Sequence, residues 1–180
     1  MKAYPMYVHR HFTDATVVFD GYSGETSTKE AEQKRRYGGK AENQEIHFEL
    51  SMNVTTTREK FLANCTNKSR LIEALKVRFV SAGISVRQTE GDADLLIVAT
   101  AIDLAGKQPA SNIYIVGEDI DLLELLVYHL SLRDVNVKLL KPGKWTQEGK
   151  TEDLVYCPKH IRASLPNIEN YILFLHAFSG

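Results

Sequence analysis

Short β-branched runs alternate with stretches of helical spacing along this chain, and that alternation restricts its fold more than any other feature. The runs are ATVVF at 15–19, ISVR at 84–87, IYIV at 113–116 and VNVKLL at 135–140. Between them lie segments whose apolar side chains recur three and four residues apart, Leu71, Ile72, Leu75 and Phe79 being the clearest. Strands alternating with helices predict an α/β fold with a mainly parallel sheet. At 180 residues, 43% hydrophobic and 25% charged, the chain can bury a core of its own, and residues 1–180 read as one domain.

Local signals fill in the rest. Residues 4–12 have the look of a helix tail, residues 46–50 of a short edge strand, and residues 55–65 fit neither class well. Ser69 is the expected N-cap of a helix that stops at Gly83. A second helix is expected from the acids at 90–94 to about Leu104, and a third from the Asp119 and Asp121 turn to about Leu130. The Gly- and Lys-rich stretch 142–152 predicts a hairpin loop before a strand at 154–156, with short helices after Pro158 and Pro166.

Composition excludes several classes. A formal net charge of -1 argues against coating nucleic acid through bulk positive charge, although a local basic strip still serves. Cys65 and Cys157 form no CxxC or Cys/His pattern, and the six histidines share no zinc-ligand spacing, so no structural zinc is expected. The N-terminus lacks a long apolar stretch and no segment reaches the length of a membrane span. The expectation is therefore a nuclear or cytoplasmic protein without membrane partners. The Asn-x-Ser/Thr matches at Asn53, Asn64 and Asn67 are then chance occurrences.

Carboxylates mark the ends of the strands. Asp20 closes VVFD, Glu90, Asp92 and Asp94 follow the strand at 84–87, and Asp119 and Asp121 follow IYIV. Any one of them has an ordinary explanation as a helix N-cap or turn residue. Acids at all three ends are harder to explain that way, because like charges sharing a crevice repel. A hard divalent cation with oxygen ligands, Mg²⁺ or Mn²⁺, would remove the conflict.

These three segments together resemble the flap-endonuclease-like branch of the PIN-like nucleases, which includes the 5'-to-3' exonuclease domains of DNA polymerases. VVFDG is similar to the family's second acidic motif, DADLLIVATA to its helix-opening motif and YIVGEDIDLL to its paired-aspartate motif. From VVFDGY through GDADLLIVATA to FLHAFSG the chain also looks like a group of uncharacterised, repeat-element-associated animal proteins of that superfamily. The resemblance implies a three-layer domain with helices on both faces of the sheet. It implies that Asp20, Asp92, Asp94, Asp119 and Asp121 are catalytic metal ligands, with Glu90 an additional acid. It implies two-metal phosphodiester hydrolysis, with ions about 4 Å apart activating water and stabilising the leaving oxygen.

The family places an arch-like element after its second acidic motif, and here residues 24–66 would supply it. Lys29, Lys34, Arg35, Arg36 and Lys40 concentrate there among Glu30, Glu32 and Glu42. A solvated charged helix is the commoner meaning of such a run; beside an acidic crevice, phosphate binding by these cations and base stacking by Tyr37 is the expectation. Arg58, Lys60, Lys68 and Arg70 form a weaker second basic group. The implied partner is DNA or RNA of single-stranded or flap character.

The resemblance is incomplete at both ends. Family members carry an earlier central strand with a further metal-binding Asp, and a later Asp that opens a DNA-binding helical element. Neither has a counterpart here, so the expectation is a PIN-like sheet lacking its first, central strand and weak or absent cleavage by this chain. Two readings stay open: a metal-dependent nuclease, or a non-catalytic relative that binds nucleic acid or protein. A receiver-like or small-molecule α/β domain fits less well, since no phosphorylatable Asp with a matching Lys is evident.

Overall fold

The computed structural model describes residues 3–21, 45–48, 52, 55–89, 92–130, 133–146 and 149–179. By their contacts they divide into two compact units, Met1–Ala93 and Asp94–Gly180. Both mix helices with a small sheet, so the fold is mixed α/β with helices packing against two small sheets.

In the first unit, helix α1 (Ala3–His11) precedes strand β1 (Thr16–Phe19), and helices α2 (Arg58–Leu62) and α3 (Cys65–Ser81) precede strand β2 (Ser85–Gln88). β1 and β2 run parallel, Thr16 opposite Ser85 and Phe19 opposite Gln88. Leu75, Phe79 and Ile84 are buried here, with Val8, Val17, Phe19 and Val86 packed against them. The Phe19 and Phe79 rings sit 6.1 Å apart, so the strand and the helix share one apolar seam.

α3 starts earlier than the apolar spacing indicates. Asn64 is its N-cap, in extended conformation, with its side chain accepting the Asn67 N–H at 3.0 Å. Ser69 therefore lies inside the helix. The opening residues CTNKS carry polar side chains, so periodicity does not register until Leu71. The helix ends as its glycine predicts: Gly83 has φ +75°, its N–H reaches Val80 O, and the Ile84 N–H reaches Phe79 O at 2.9 Å. This is a Schellman closure, and Ile84 and Phe79 share the core that accompanies it. His9 Nε2 donates to the Ala82 carbonyl at 2.7 Å, satisfying another helix-terminal acceptor.

Residues 45–48 form no strand. They dock on the α2–α3 corner instead. The Ile46 N–H donates to Asn67 Oδ1 at 2.7 Å, Glu45 pairs with Arg70, and Phe48 meets Phe61 edge-on. The remainder of the expected strand, 49–50, lies outside the described residues. The ambiguous stretch before Cys65 contains α2, capped by Thr57.

The second unit opens with helix α4 (Ala93–Lys107), which extends a turn beyond the expected Leu104. Strand β3 (Ile113–Val116) leads into helix α5 (Ile120–His129), and β4 (Val137–Lys141) pairs parallel with β3. A small hairpin follows, β5 (Trp145–Thr146) with β6 (Gly149–Lys150), then β7 (Leu154–Tyr156) antiparallel to β4. Helix α6 (Pro158–Ser164), a 3-10 turn (Ile168–Asn170) and helix α7 (Ile172–Ser179) complete the unit. Its core joins Val98, Ala101 and Ala105 of α4 with Leu122, Leu123 and Leu126 of α5 and Ile115, Val137 and Leu139 of the sheet. The α4 spacing of three and four residues puts one helical face into that core. Arg162 Nη1 donates to the Leu130 carbonyl at 3.0 Å, closing the end of α5 from α6.

Among the described residues no helix is long and apolar enough to cross a membrane.

Candidate functional site

Each parallel pair is followed by an acid at its C-terminal end. In the first unit the strand TVVF stops at Asp20, where the chain leaves the ladder. The last ladder bond is Thr89 N–H to Phe19 O at 3.3 Å. One residue further, the Asp20 carbonyl accepts from Gln88 Nε2 at 3.4 Å. The Asp20 carboxylate has its Oδ1 buried without a hydrogen-bond partner among the described residues. A buried acceptor left in that state costs about 1–3 kcal/mol, more when charged.

Asp92 is exposed just before α4, in the same unit, while Glu90 lies outside the described residues. Asp94 stands half-buried in the first turn of α4, where a carboxylate complements the helix dipole, and belongs to the second unit.

The second unit also holds Asp119 and Asp121. Gly117 leaves β3 so close to α5 that an added Cβ would sit 3.0 Å from Leu122 Cδ1. Glu118 follows and pairs with Lys144 at 2.6 Å, tying the turn to the segment after β4. Asp119 is the N-cap of α5, its side chain accepting the Asp121 N–H at 3.1 Å. Asp121 sits half-buried in the first turn. The ordinary explanation of an acid at this position therefore holds for Asp119: it caps a helix.

Lys144 belongs to a tightly closed hairpin. Its N–H donates to Thr151 Oγ1 at 2.8 Å, and the Thr151 N–H returns to its carbonyl at 2.9 Å. The Gly143 N–H donates to Asp153 Oδ1 at 2.7 Å, with Lys150 2.9 Å from the same oxygen. The Gly143 N–H and then the Lys150 ammonium hold the Asp153 carboxyl below the usual carboxylate range.

The expected phosphate-binding residues Lys29, Lys34, Arg35, Arg36, Tyr37 and Lys40 lie outside the described residues. Of the weaker basic group, Arg58 pairs with Glu59 at 3.7 Å and Arg70 with Glu45, so part of its charge is already neutralised. Asn67 is fully buried, which removes it as a glycan acceptor. Among the described residues, no group of three or more His, Cys, Asp or Glu side chains is placed to hold a metal ion. Gln88, which bonds the Asp20 carbonyl, and Lys76, which bonds Gln88, are residues that sequence reasoning passes over, since an amide at a strand end carries no pattern of its own. Compared with protein-family models, curated proteins and solved structures, the chain matches none.

Proposed function

We propose that the chain is a divalent-metal-dependent nuclease acting on flap or single-stranded DNA or RNA, of PIN-like, flap-endonuclease-like descent. The observation that carries this reading is the buried, unpartnered Oδ1 of Asp20 at the end of a parallel strand. A carboxylate oxygen without a donor is unfavourable there, and a hard cation is a ligand that relieves it. A second acid-bearing parallel strand end, at Asp119, lends further support. A three-layer, mainly parallel PIN-like fold goes with the same reading.

Each unit taken by itself, the candidate ligands are Asp20 and Asp92 in the first and Asp94, Asp119 and Asp121 in the second, with Glu90 as a further acid. Carboxylates alone make a donor set that suits Mg²⁺ or Mn²⁺. When bound, such an ion supplies charge stabilisation at a phosphoryl group. The cations of 29–40 would hold the phosphate backbone, and Tyr37 would stack on a base.

The test is Mn²⁺ binding followed by electron paramagnetic resonance, run beside cleavage of an end-labelled 5'-flap DNA in Mg²⁺. Binding that disappears in Asp20→Asn, with any cleavage disappearing alongside it, supports the nuclease. A chain with no affinity for either ion at millimolar concentration overturns it.

One observation favours a non-catalytic relative instead. Asp119 Oδ1 is occupied by the Asp121 N–H, which accounts for that acid without a metal. Retention of single-stranded DNA without cleavage, unchanged by Asp20→Asn, would move the assignment to a binding domain.

A further inference from the structure

Beyond the strand end, Asp20 is held by a side chain rather than by the sheet. β1 and β2 stay in register through Phe19 and Gln88, and the final ladder bond runs from Thr89 to Phe19. The Asp20 carbonyl follows that bond. Gln88 supplies the donor from its side chain, Nε2 to Asp20 O at 3.4 Å.

The direction of the Gln88 amide is set by its other end. Lys76 Nζ lies 2.7 Å from Gln88 Oε1. An ammonium only donates, so the amide oxygen must face Lys76 and the NH₂ must face Asp20. Glu73, one turn earlier on α3, lies 2.8 Å from Lys76 Nζ. Glu73, Lys76, Gln88 and the Asp20 carbonyl thus form a chain of hydrogen bonds from helix α3 to the end of β1. A cation at the oxygen of an amide strengthens the opposite N–H as a donor.

We propose that Lys76 and Gln88 are positioning residues that fix the main chain of Asp20 and thereby aim its carboxylate at a divalent cation. This rests on the metal-binding reading above. The buried, unpartnered Oδ1 of Asp20 is the acceptor that a cation at this place would take up, and of Asp20, Lys76 and Gln88 only Asp20 would touch it. Lys76 and Gln88 act through the backbone that carries that side chain. Neither is a ligand. Outer-shell partners of metal ligands weaken affinity by roughly ten- to a hundredfold when removed, and a single long hydrogen bond to the main chain belongs at the lower end of that range.

The experiment uses the full chain and Mn²⁺ itself, with free Mn²⁺ read by electron paramagnetic resonance and the metal-free melting midpoint read separately. Lys76→Met keeps the stem and removes the donor; Gln88→Leu removes the amide; Lys76→Arg keeps a donor in place. The expected result is about tenfold weaker Mn²⁺ binding in Lys76→Met and Gln88→Leu, near-normal binding in Lys76→Arg, and metal-free midpoints close to that of the unaltered chain. Should Gln88→Leu fail to fold, the partly exposed Lys76 still decides the matter. Normal Mn²⁺ affinity in Lys76→Met, alongside lost binding in Asp20→Asn, overturns the positioning role and leaves the metal site standing. If the unaltered chain itself does not bind Mn²⁺, both the positioning role and the metal reading fall.

Discussion

Asp119 Oδ1 accepts the main-chain N–H of Asp121 across 3.1 Å, so one acid of the pair caps the helix on which the other stands. The two roles open to Asp119, cap and metal ligand, respond differently to substitution. Asn caps a helix about as well as Asp, whereas Ala costs about 1 kcal/mol. Asp119→Asn should therefore keep its urea midpoint while losing affinity for Mn²⁺, and Asp119→Ala should lose both. Equal Mn²⁺ affinity in Asp119→Asn and the unaltered chain would reduce this acid to a cap.

Two glycines resist substitution for different reasons. Gly83 has φ +75° with open space around a would-be Cβ, so Gly83→Ala should cost about 1–2 kcal/mol through backbone conformation alone. At Gly143 a Cβ would collide with the Thr151 carbonyl oxygen. Gly143→Ala must push the hairpin strands apart, at a cost of roughly 1–3 kcal/mol, and should weaken the bond to Asp153. Equilibrium denaturation gives the two costs, and amide exchange at residues 143 and 151 should rise only in the second variant.

Leu126 is wholly buried at the centre of the second unit. Leu126→Ala should cost about 2–5 kcal/mol, the sum of lost transfer energy and a residual cavity. Val77 lies 67% exposed on α3, and Val77→Ala should change stability by less than about 0.5 kcal/mol. Urea midpoints that rank these two the other way would contradict the packing.

Asp153 gives a pH dependence with a definite sign. Its folded carboxyl sits below the usual range, first through the Gly143 N–H and then through Lys150. The stability it contributes is complete above the unfolded carboxylate value of about 3.9 and is lost as pH falls through the lower folded one. A carboxyl-detected NMR titration should find Asp153 titrating early, and Lys150→Met should move it only partway back. A full return to the ordinary range in that variant would mean that the Gly143 bond contributes nothing.

What could be read from the sequence follows from what each element displays. TVVF and IYIV are β-branched and stop at turn-forming residues, so their strands were legible almost to the residue. The start of α3 was not, because Asn64 and Asn67 cap and brace it with polar side chains that leave no apolar period. Residues 46–48 alternate as a strand would, yet Ile46 spends its N–H on the buried Asn67. That preference depends on a partner 21 residues away and has no local signature. Acids at strand ends were visible, whereas the Lys76 and Gln88 contacts around Asp20 need the register of β1 and β2.

The parallel registers also set a difference in chain-closure cost. To form its sheet the first unit must bring Thr16 to Ser85, whereas the second has only to bring Ile113 to Val137, across a far shorter stretch of chain. Each doubling of the closed loop costs about 0.6 kcal/mol of chain entropy before any pairing repays it. Pairing β3 with β4 thus carries the smaller closure cost, and pairing the strand that carries Asp20 the larger.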